Sequence, residues 1–130
     1  MKSAKSGPYG ASVPTRLIHP NDLPVVERVL SAYLVYLRGG VPSSDQRDTS
    51  IAVIQRVLQR LRQMLDAPES LEGLPIFFTM QELQVINEAF LGFMRQLRLL
   101  VLPSVQRAEV MSGLQALQQQ FAAMLAVARH

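Results

Sequence analysis

An all-α domain built from two tandem helical hairpins is the fold this sequence predicts, and three observations predict it. Apolar residues recur at three- and four-residue spacing through four segments. The chain matches itself at a shift of sixty residues without a gap. Runs of β-branched residues are short and never alternate with polar ones over a useful length, so strand signals are missing.

The elements follow in order. Residues 1–16 are rich in Ser, Gly, Pro and Ala, with Tyr9 among them, and read as a flexible or extended arm. Residues 17–130 form the helical domain. Its first helix carries Leu23, Val26, Leu30, Tyr33, Leu34 and Leu37 on one face and is expected to stop at Gly39-Gly40. A second starts after Pro42, with Ser43 and Gln46 spaced as a capping box, and carries Ile51, Ile54, Val57, Leu58, Leu61 and Leu65. Residues 66–77, with Pro68, Gly73 and Pro75, make a connection that has room for a short turn at Ser70–Leu74. Thr79 and Glu82 form another capping box, opening a third helix with Leu83, Ile86, Phe90, Phe93, Leu97 and Leu100. After Pro103, a fourth helix carries Met111, Leu114, Leu117, Phe121 and Leu125.

The repeat pairs residues 18–65 with 78–125. Identical pairs include Leu23/Leu83, Leu37/Leu97, Arg38/Arg98, Val41/Val101, Ser44/Ser104, Arg47/Arg107, Met64/Met124 and Leu65/Leu125. Tyr33/Phe93 and Ile54/Leu114 are similar, and both hairpin turns coincide. Each hairpin has one apolar face that it cannot bury alone, so two hairpins are expected to share a core as a four-helix bundle about a pseudo-twofold axis. Ala32 and Gly92 are equivalents near mid-helix. Glycine there costs about 1 kcal/mol, and close approach of the first and third helices would explain it.

Composition narrows the function classes. The chain has 130 residues, 48% of them apolar, enough to form one self-folding domain and too many for a disordered chain. Without cysteine there is neither a disulfide framework nor a thiolate metal site. No apolar run follows Lys2 and Lys5, so no signal peptide is expected. No stretch nears the roughly 18–20 apolar residues of a membrane span, so the expectation is a cytoplasmic protein without membrane partners. The net charge of +3 comes from Lys2, Lys5 and Arg16 in the arm; without them, ten basic residues face ten acidic ones. Nucleic-acid binders usually carry their basic excess on the folded domain.

No catalytic or metal signature emerges, and no cofactor is expected. The two histidines, His19 and His130, have no carboxylate at ligand spacing. The acids scatter over helix starts and the central connection, where dipole preference explains them. Arg47 and Arg107 begin the buried stripes of their helices, against the helix dipole, so each needs a compensating partner. The nearest candidates are carbonyls ending the preceding helix, at 35–40 and 95–100. Arg56, Arg60 and Arg62 form a one-sided basic patch, since the equivalent face of the fourth helix holds Ala116, Gln120 and Ala123.

Surplus apolar surface is the better pointer to use. The first helix has a second apolar line, Val25, Val29, Ala32 and Tyr36, and the fourth shows Ala116, Ala123 and Val127 on its outer side. Extra apolar faces on a small bundle point to a partner, often a second copy, the alternative being that the N-terminal arm or the 66–78 connection covers them. The leading expectation is therefore a non-catalytic interaction protein or accessory subunit, as a homodimer or in a hetero-complex. The alternative is a helical subunit contacting nucleic acid through Arg56, Arg60, Arg62 and the basic arm. A third option, a carrier of an apolar ligand inside the bundle, rests only on Met64, Met94, Met124 and Phe121.

Overall fold

The computed structural model describes residues 12–14, 20–66 and 77–128. His19, His130 and the turn expected at Ser70–Leu74 lie outside these residues, as does most of the arm. Four helices dominate: α1 (Leu23–Gly40), α2 (Asp45–Asp66), α3 (Met80–Leu100) and α4 (Val105–Ala128). The fold is an all-α helical bundle. It carries one small addition, an antiparallel pair of strands, β1 (Ser12–Pro14) and β2 (Phe77–Thr79), with Val13 opposite Phe78. Three-residue strands are too short for an alternating pattern to show, which is why the sequence carries no strand signal for them. Part of the arm is thus tied to the segment leading into α3, and β1 also lies against α4.

Local chemistry sets the helix boundaries. A 3₁₀ turn, Pro20–Asp22, leads into α1, where Pro24 suits the first turn because its missing N–H has no helical partner to lose. The Thr79 hydroxyl accepts from the Glu82 N–H at 3.1 Å, and the Thr79 N–H donates to Glu82 Oε1 at 2.9 Å, closing the expected capping box. The box expected at Ser43 and Gln46 is corrected. Ser44 is the cap, its hydroxyl accepting from the Arg47 N–H at 3.1 Å, and Ser104 does the same for Arg107 at 3.0 Å. The glycine stop is corrected too. Gly39 and Gly40 lie inside α1, and the chain leaves the helix at extended Val41 (φ −120°, ψ 132°), just as it leaves α3 at Val101 (φ −115°, ψ 129°) after two leucines. A left-handed glycine is therefore not what ends α1.

The core is one cluster fed by all four helices. Leu23, Val26, Leu30, Ile54, Leu58 and Leu61 enter it from the first hairpin, and Leu83, Ile86, Phe90, Leu114, Leu117 and Phe121 from the second. Phe121 is the hub of the second half, with Phe90 at 5.5 Å and Phe78 of β2 at 6.1 Å between ring centroids. Met94 and Met124 are buried in this cluster and Met64 packs at its edge, where they fill gaps among other side chains.

Packing between the hairpins departs from the expected pseudo-twofold symmetry. α3 is the central helix and touches α1, α2 and α4. By the repeat, α4 should sit on α1 as α2 sits on α3, and among the described residues it has no comparable packing there. A side-chain device explains the difference. Glu82 at the start of α3 is held by Arg56 and Arg60 of α2. The equivalent positions are Asp22, Ala116 and Gln120, and no guanidinium stands where one would be needed.

Candidate interaction surface

Each arginine of the basic patch has a carboxylate partner on another helix. Glu82 is 1% exposed and accepts from Arg56 Nε and Arg60 Nη2, each at 3.0 Å, besides the Thr79 N–H. Arg60 also lies over the Phe78 ring, 5.3 Å from its centroid. Burial pushes the Glu82 carboxyl up, but the Thr79 N–H and the two guanidinium groups outweigh it and hold its pKa below the ordinary glutamate value. Arg62 donates to Glu27 Oε2 at 3.1 Å and to the Ser31 hydroxyl at 3.2 Å, tying α2 to α1. Arg56, Arg60 and Arg62 thus meet internal carboxylates, which weakens them as a phosphate-binding face. Sequence spacing could not reveal this, because Glu27 and Glu82 lie on other helices.

Arg47 and Arg107 take equivalent places. Arg47 Nη1 donates to the Val41 carbonyl at 3.0 Å, and Arg107 Nη1 to the Val101 carbonyl at 2.9 Å. The acceptors are one residue past the expected windows, at the first residue beyond each helix. Each guanidinium thereby closes its own hairpin turn.

The apolar candidates separate into core and surface. Val29 is 1% exposed and belongs to the core, a correction to its place among the interface residues: it lies on the same side of α1 as Val26 and Leu30. Val25, Ala32 and Tyr36 remain exposed, as do Ala116, Ala123 and Val127 on α4. The two alanines offer little area to anchor a partner.

Ala32 and Tyr36 lead to a groove of about 440 Å³ between α1 and α3. Its walls include Tyr33, Val35 and Tyr36 from α1 and Leu91, Gly92 and Phe93 from α3. Tyr33 and Tyr36 stack with centroids 5.8 Å apart and planes at 27°. Gly92 makes the arrangement possible: a Cβ there would stand 3.1 Å from Tyr33 Cε1, tighter than ordinary contact. Close approach of α1 and α3 is thus the reason for this glycine, as the repeat suggested. The Tyr33 pKa is raised, first by burial and then by the nearby Glu88 carboxylate and Tyr36, with Arg95 working against them. Its hydroxyl stays protonated at neutral pH and is available as a donor.

Sequence reasoning missed the most exposed apolar element among the described residues. Leu99, Leu100, Leu102 and Val105, at the turn from α3 to α4, are between 72% and 84% exposed. The signal was present in the repeat: the equivalents in the first hairpin are Gly39, Gly40, Pro42 and Asp45. Comparing the halves for difference, and not only for identity, exposes four positions changed toward aliphatic. Leu100 also lines the groove, so turn and groove form one continuous surface.

Among the described residues there is no group of three His, Asp or Glu side chains placed to hold a metal, and no helix is long and apolar enough to cross a membrane. No family model matches the sequence, and no match emerges among curated proteins or solved structures.

Proposed function

We propose that this protein is a non-catalytic, self-associating helical module, acting as a homodimer or as a subunit in a larger complex, with the α1–α3 groove at its interface. The observation that carries the reading is the continuity of Val35, Tyr36, Leu91 and Leu100 along one open groove that ends in an aliphatic turn. Large continuous apolar surface is uncommon on monomers and typical of association sites. Tyrosine at the groove rim fits an interface, where its ring adds apolar area and its hydroxyl meets water or a partner. A cytoplasmic location belongs to the same reading, supported by the absence of cysteine.

The test is sedimentation of wild type and Tyr36→Glu, with helicity followed by circular dichroism. A micromolar dimer is held by about 8 kcal/mol, and an unpaired carboxylate buried in the contact costs several kcal/mol, so the variant should run as monomer. Its helicity should persist, because Tyr36 is 41% exposed and stands off the core. A wild type that remains monomeric at high concentration removes self-association.

A further inference from the structure

We infer that the α3–α4 turn of one copy enters the α1–α3 groove of a second copy, in a reciprocal pairing that covers both. The inference rests on the self-association proposed above and names the element that makes it.

The internal repeat serves as the control. Both hairpins build the turn with the same serine cap and the same arginine, at matching distances. The turn itself therefore needs no leucine, since Gly39, Gly40, Pro42 and Asp45 serve the first hairpin equally well. Leu99, Leu100, Leu102 and Val105 contribute almost nothing to their own core at this exposure. Among the described residues nothing covers their apolar surface.

Three features select a second copy as the cover. The groove offers about 440 Å³, within the roughly 300–1,000 Å³ of pockets that take a bulky apolar group. Projection and groove share Leu100, so a twofold axis passing near Leu100 would set the projection of each copy against the groove of the other, as an isologous interface allows. The charges are complementary under the same operation. Glu88 and Arg95 both line the groove and both act on Tyr33, with Arg95 about two helical turns nearer the α3–α4 turn and Arg98 beyond it, and none of the three forms an ion pair among the described residues. Turning one copy over the other lays the arginine end against Glu88. From Arg95 to Arg107 there is no acid, so a turn-to-turn pairing would oppose like charges.

The absence of cysteine makes a direct test simple. Val35→Cys marks the groove and Leu102→Cys marks the turn; both positions are more than 70% exposed, so both variants should fold. The two singly substituted proteins are mixed, allowed to exchange, and treated with a short bismaleimide. The expected result is a Val35→Cys to Leu102→Cys product several-fold above either like-with-like product, and a dimer dissociation constant at least about tenfold weaker for Leu102→Asp. Products joining only two Leu102→Cys chains would overturn the inference in favour of turn-to-turn contact. A dimer in sedimentation with no cross-link at either position also overturns it, while leaving self-association standing. A monomer at every concentration removes both. A monomer that pellets with phosphatidylglycerol vesicles, and loses that property in Leu102→Asp, assigns the turn to a membrane surface and overturns the pairing.

Discussion

Glu82 shows how much one buried side chain decides. It caps α3, anchors two arginines of α2 and explains why the hairpins pack unequally. Its pKa is lower folded than unfolded, so proton binding favours the unfolded chain. The stability it confers is fully present above the ordinary glutamate value of about 4.3 and is lost as pH falls through the lower folded value. Urea unfolding of wild type between pH 6 and 3 should show this acid limb, and Glu82→Gln should flatten it. At pH 6 the variant should be weaker by about 1.5–3 kcal/mol, the range for a broken hydrogen bond to a charged group. An unchanged acid limb in Glu82→Gln would mean that other carboxylates dominate. The capping role of Glu82 was legible from Thr79-x-x-Glu82, because a capping box is a local pattern. Its ion pairs were not, because they join residues 22 and 26 positions away.

At the scale of elements, period and repeat carried most of the information. The stripes built on Leu23, Ile54, Leu83 and Leu114 do supply the core, since apolar spacing at 3.6 residues leaves one face to bury, but Leu100 at the end of the third stripe is exposed. Val29 was misplaced for a geometric reason: on α1 two neighbours, α2 and α3, cover a wide arc, and periodicity alone cannot tell a second buried line from a surplus one. The Gly92–Tyr33 contact gives a sharper test. Replacing glycine by alanine in a helix gains about 1 kcal/mol, but here the new methyl presses a ring held by its stack on Tyr36. Gly92→Ala should therefore be close to neutral in wild type and stabilising by about 1 kcal/mol in a Tyr33→Ala background. Equal effects in both backgrounds, measured by chemical denaturation, would remove close packing as the reason for this glycine. Arg47→Met and Arg107→Met should in turn lower stability by similar amounts, about 1 kcal/mol each, because both guanidinium groups make the same bond to a residue just past a helix.

For the whole molecule, the unequal packing of the two hairpins sets an order of opening. α3 is covered by three helices, whereas α4 rests on α3 and β1 and lacks the ion-paired anchor that α2 has. Local opening follows the density of buried contacts, so helices held on one side unfold at lower free energy than the element they lean on. Amide exchange on dilute protein should therefore leave the middle of α3, around Ile86 and Phe90, protected longest. The outer end of α4 near Val127 should exchange early, with α2 between them. Glu82→Gln should narrow the difference by bringing α2 toward α4, since it removes the feature that distinguishes the hairpins. Raising the protein concentration supplies a second dimension. If copies pair through the groove and the α3–α4 turn, protection should rise first at residues 99–105 and along α1 around Tyr36, while the outer face of α4 at Ala116 and Ala123 stays as it was. Protection that instead rises at Ala116 and Ala123 would place the contact on α4, the other surface that apolar patterning marked, and would leave the groove without a partner.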